Sequence, residues 1–95
     1  MMIALEQIAA TLQVAPEDLW RQSLEAYISR EKRSAILDVA DIQDRYGVST
    51  VNELARRIEV GAIYSHPAWE DLIEWENLLV HLQRLEQLDR EISAG

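Results

Sequence analysis

The chain has 95 residues, 48% of them hydrophobic, with no cysteine and a formal net charge of −8. That composition suits one folded domain and argues against disorder, while the lack of cysteine excludes disulfides, thiolate metal sites and a cysteine nucleophile and fits a reducing cytoplasm. No apolar run reaches the roughly 18 residues of a membrane span, no basic region precedes an apolar one to make a signal peptide, and the clustered positive charge of nonspecific nucleic-acid binding is missing.

Residues 3–12 carry Ile3, Leu5, Ile8, Ala9 and Leu12 at helical spacing, which predicts a short helix. Thr11 to Ala15 break it. Pro16 suits the first turn of a second helix, with Glu17 and Asp18 beside the positive end of its dipole. That helix is expected over about 16–46. Trp20, Leu24, Tyr27, Ile28, Ala35, Val39, Ile42 and Tyr46 recur three or four apart along most of it, with no Gly or Pro inside. The polar interval Ser29 to Ser34 interrupts the stripe and is left open as a solvated face, a partner contact or a break.

Gly47 is a stop signal, because glycine tolerates the left-handed conformation that follows a helix C-terminus. Val48 is then expected to fold back onto Ile42. Thr50-Val51-Asn52-Glu53 reads as a capping box opening a short helix over 50–60, with Val51, Leu54, Ala55 and Ile58 inward and Gly61 as its end. His66 precedes a proline and so avoids helical geometry. A last long helix is expected over about 67–92. Trp69, Leu72, Trp75, Leu79 and Leu82 form one row, extended by Leu78, Leu85, Leu88 and Ile92. Two long amphipathic helices joined by a helical corner make an antiparallel hairpin. The fold class is therefore all-α, a single domain over 1–95. A hairpin alone leaves large apolar side chains in water, each worth roughly 1.5–3 kcal/mol on burial. Closure as a homodimeric helical bundle, or binding of a partner, is the expected remedy.

The charge is uneven. Residues 61–95 hold seven of the seventeen acids but two of the nine bases. Such a surface suits a basic partner through steering and complementarity. Glu70, Glu74, Asn77 and His81 share one helical face. No Glu-x-x-His pair of the helical di-metal kind accompanies them, so the face reads as solvated and no metal or cofactor is expected. No phosphate loop, zinc-binding HExxH or serine triad context appears, and no catalytic residue is assigned.

The run Arg45-Tyr46-Gly47-Val48, then Glu53-Leu54, Ile58, Gly61 and His66-Pro67-Ala68-Trp69-Glu70-Asp71-Leu72-Ile73-Glu74-Trp75, resembles small archaeal and cyanobacterial proteins described as antitoxins of type II toxin–antitoxin pairs. The resemblance spans roughly residues 24–85. Residues 3–33 more weakly resemble the helices of ribbon-helix-helix antitoxins. Those read DNA through an N-terminal strand with basic or polar readers, whereas here no basic residue precedes Arg21, so DNA binding is not favoured. The resemblance implies a non-catalytic antitoxin that neutralises a basic, ribonuclease-type toxin. The implied contact residues are Trp69, Glu70, Asp71, Glu74, Trp75 and Glu76, with the two tryptophans as anchors of the kind that dominate interfaces. Because the tryptophans are six apart, they lie about 120° from alignment on a helix, so one can be core while the other is exposed. The alternative is a structural homodimer or assembly module without a toxin partner.

Overall fold

A computed structural model describes residues 3–94. Four helices follow in order: α1 (Leu5–Leu12), α2 (Pro16–Tyr46), α3 (Val51–Glu59) and α4 (Ser65–Ala94). No strand occurs among the described residues. α2 and α4 pack antiparallel as a hairpin, and α3 fills the corner between them. α1 folds back onto the start of α2.

The boundaries follow local chemistry. Gln13, in the left-handed region at φ 59°, ends α1, and the Val14 N–H donates to the Ala9 carbonyl at 3.0 Å. Pro16 occupies the first turn of α2, where a missing N–H costs nothing. Gly47 ends α2 at φ 64°, and the next residue, Val48, turns its N–H to Gln43 O. Thr50 caps α3 by accepting from Glu53 N–H at 3.1 Å. The Glu53 carboxylate reaches back to the Ser49 N–H at 3.0 Å, one residue earlier than the usual box. His66 is extended (φ −121°, ψ 123°), so regular helix in α4 starts at Pro67.

The core lies at the closed end of the hairpin. Ile42, Val48, Leu54, Leu72 and Trp75 form its buried cluster, and Val39, Tyr46, Val51, Ala55, Ile58, Ile63 and Leu78 pack around them. Leu54 is completely buried; removing such a side chain from water contributes about 1.5–3 kcal/mol. Val48 does return to Ile42, as the glycine stop implied. Along α2 the buried positions are Ile28, Ala35 and Ile42, seven apart. Seven residues make almost two helical turns, so this is the seam that faces α4.

Two expectations about the apolar rows need correction. Trp20 and Tyr27, read with the inward stripe of α2, are half-exposed. Trp69, Leu79 and Leu88, read into the row of α4, are also exposed, and the fully buried Ala68 stands inward beside Trp69. Trp20 and Tyr27 lie beyond the reach of α3, which packs at the closed end, and at the start of α4 the helical phase turns Ala68 inward and the adjacent Trp69 outward.

The polar interval of α2 is not a break: Ser29, Arg30, Arg33 and Ser34 are exposed, as a solvated face would be, while Glu31 and Lys32 reach α4. Lys32 Nζ pairs with Glu86 Oε2 at 2.9 Å and with Asp89 Oδ2 at 3.0 Å. Glu31 lies 3.4 Å from His81 Nε2. Polar residues thus bridge α2 and α4 midway along the hairpin. The two carboxylates raise the Lys32 pKa above its ordinary value, chiefly through the hydrogen bond to Glu86.

The outcome is an extended molecule. Its radius of gyration is 19.2 Å, against about 12 Å for a compact chain of this length.

Candidate interaction surface

Asp71 is the first of the sequence-selected residues to be reassigned. Its carboxylate accepts a short hydrogen bond from the Tyr46 hydroxyl, and Arg45 Nη1 lies 2.8 Å from the same oxygen. The Tyr46 hydrogen bond, and then Arg45, hold the Asp71 carboxyl below the usual carboxylate range, although burial opposes them. Burial and Asp71 together push the Tyr46 phenol up. Asp71 therefore ties α4 to the last turn of α2 rather than presenting charge to a partner.

Trp75 is also withdrawn from the surface. It is 2% exposed and belongs to the closed-end core, whereas Trp69 is 54% exposed. The 120° offset between them is realised with one ring in and one out. Of the six residues assigned to partner contact, Trp69, Glu70, Glu74 and Glu76 remain at the surface.

These four belong to a larger strip. Trp69, Ile73, Glu76 and Val80 are four, three and four apart on α4, so they stand on one outward face. Ile73 and Val80 are both exposed. Neither was singled out in the sequence, although counting outward from Trp69 at helical spacing would have found them. Glu70 and Glu74 flank the strip, with His66 Nδ1 3.3 Å from Glu70 Oε1. The face offers three large apolar side chains edged by acid.

A second exposed apolar region lies at the opposite end of the hairpin. There α2 and α4 enclose a groove of about 630 Å³ lined by Trp20, Leu24, Tyr27, Leu85, Leu88 and Ile92. Arg21 and Glu91 stand on its walls. A neighbouring groove of about 530 Å³ continues past Trp20 to Leu5 and Pro16 of α1 and α2, with the charged Glu6, Glu17 and Arg21 along it. Arg30 sits over the Tyr27 ring at 5.6 Å.

No polar or charged side chain is buried among the described residues, and no three or more His, Asp or Glu gather there at metal-binding distance. His81 faces Glu31 across the hairpin rather than joining Glu70 and Glu74. The basic residues are partly engaged as well: Lys32 with Glu86 and Asp89, and Arg57 with Glu53 at 2.9 Å. No helix is long and apolar enough to cross a membrane among the described residues.

One family model, that of the uncharacterized protein MJ0235 family, matches residues 1–95. No curated protein and no solved structure matches the chain.

Proposed function

Since the chain belongs to the uncharacterized protein MJ0235 family, whose description carries no activity, we propose from the geometry that it is a non-catalytic protein-binding module. The observation that carries this reading is the outward α4 strip of Trp69, Ile73 and Val80, all exposed and edged by Glu70, Glu74 and Glu76. An apolar row at helical spacing is the form in which a helix enters a partner's groove. A tryptophan within acid favours a basic surface opposite, because charge complementarity steers encounter and aromatic anchors supply affinity.

The specific form proposed is an antitoxin whose α4 strip covers a basic toxin, in line with the pattern from Arg45 to Trp75. A cytoplasmic setting goes with that role. Co-expression with the product of the adjacent reading frame, followed by affinity capture, tests it. Co-elution that is lost on Trp69→Ala is expected. Purification of the chain alone, with a neighbour that is neither toxic nor bound, would remove the reading.

A second reading is a homodimeric assembly module without a toxin partner. The open-end groove between α2 and α4 favours it.

A further inference from the structure

The two ends of the hairpin are built differently. At the closed end α3 covers the seam and five large side chains form a buried cluster. At the open end α2 and α4 have no third helix across them, and the only buried large residues of that half are Ile28 and Leu85 among those described. Trp20 at 55%, Tyr27 at 50% and Leu88 at 48% remain exposed around them.

The amount of surface left open can be compared with that of a self-sufficient chain. The accessible surface is 7257 Å². A compact monomer of 10.9 kDa exposes about 5,600 Å², so this chain carries an excess of about 1,700 Å². Obligate homodimers bury roughly 1,000–2,500 Å² per subunit. The excess falls inside that range.

We infer that the open-end groove is a homodimer interface, in which Trp20, Leu24 and Tyr27 of α2 seat on Leu85, Leu88 and Ile92 of a second copy's α4. This deepens the second reading above and stands apart from the α4 strip at Trp69. The groove is self-complementary in two respects. Its α2 wall supplies the bulky rings, and its α4 wall supplies aliphatic side chains for them to fill. Its polar residues match as well: Arg21 stands on the α2 wall and Glu91 on the α4 wall, and neither forms an ion pair within the chain among the described residues. A twofold axis running along the hairpin lays α2 over the partner's α4, antiparallel to it, with open end on open end. Arg21 then approaches the partner's Glu91, and by symmetry the pair occurs twice. The arrangement is a four-helix bundle in which every neighbour is antiparallel.

Light scattering on the eluting full chain tests this directly. The wild type is expected at twice 10.9 kDa. Trp20→Glu and Leu88→Glu place charge on side chains already exposed in the single chain, so each is expected to keep its helical circular dichroism while the dimer affinity falls by at least about tenfold. Arg21→Glu and Glu91→Arg are each expected to weaken the dimer, and the two together to recover it. Trp69→Glu is expected to leave the mass unchanged. A wild type that is monomeric at about 100 μM (far above the Kd of a stable dimer) would overturn the inference. So would a dimer that survives both Trp20→Glu and Leu88→Glu. Binding of a basic partner is read separately: a dimer that captures no such partner removes the antitoxin reading and leaves this interface standing.

Discussion

The Tyr46 hydroxyl donates a hydrogen bond to the Asp71 carboxylate across the closed end of the hairpin. One hydrogen bond thereby joins the last residue of α2 to the second turn of regular helix in α4, beside the cap that opens α3. Arg45 adds its charge to the same oxygen. The link fixes where α4 leaves the corner, and so which of its faces turns outward.

Loss of that link is expected to be measurable as stability. Tyr46→Phe keeps the ring and removes the donor, at a cost of about 1 kcal/mol. For a chain of this size that lowers Tm by about 4–8 °C. The pH dependence has a definite sign. Asp71 has a folded pKa below its unfolded value, so its contribution is present above the usual carboxylate pKa of about 3.9 and is lost as pH falls through the folded value. Thermal melts of wild type and Asp71→Asn are expected to differ near neutrality and to converge below about pH 4. A gap that stays constant through that range would show that the carboxylate charge is not what stabilises the corner.

The two tryptophans of α4 are expected to behave oppositely in stability. Trp75→Ala empties the closed-end core and is expected to cost about 3–5 kcal/mol. Trp69→Ala touches an exposed ring and is expected to change stability by less than about 0.5 kcal/mol. Urea unfolding followed by circular dichroism at 222 nm (the helical signal) checks both, with the variants compared at equal protein concentration. Equal losses would contradict the in-and-out assignment.

The start of α3 is held by side chains rather than by burial alone. Thr50→Ala removes the acceptor for the Glu53 N–H and is expected to cost about 1 kcal/mol. Glu53→Ala removes both the bond to Ser49 and the pair with Arg57, and is expected to cost at least as much. Denaturant midpoints at constant slope report each change.

The Lys32 pairs predict a salt response of known direction. Exposed ion pairs are screened as ionic strength rises. Lys32→Met keeps most of the apolar stem and removes the charge. The Tm difference between this variant and wild type is expected to narrow from about 0.02 M to 1 M sodium chloride. A difference independent of salt would assign the role of Lys32 to packing.

The pieces of this fold that depend on neighbours in sequence were legible beforehand. Pro16 opens α2, Gly47 closes it, and Thr50 with Glu53 opens α3, because capping and left-handed turns are local chemistry. The hairpin followed from two long periodic segments and a short corner. What pattern alone did not resolve was helical phase. Trp69 and Trp75 look equally fit for a core, and the choice between them depends on which side of α4 meets the corner, a side marked by the buried Ala68, which carries little weight in a hydrophobic row. The Asp71–Tyr46 bond joins residues 25 apart, and Glu31 and Lys32 find partners more than 45 residues away. Those pairings arise only once the hairpin register is set. The candidate strip was half legible: Trp69 and its acids stood out, whereas Ile73 and Val80 emerged when the outward face was known.

The central claim is that the outward α4 strip binds a basic protein. Calorimetric titration of the adjacent reading frame's product into the purified chain tests it most directly. Saturable binding is expected, weakened by added salt and reduced by at least about tenfold in Trp69→Ala and in the double variant Glu70→Lys, Glu74→Lys. Absence of heat with the wild type, or equal affinity for all three proteins, would contradict it.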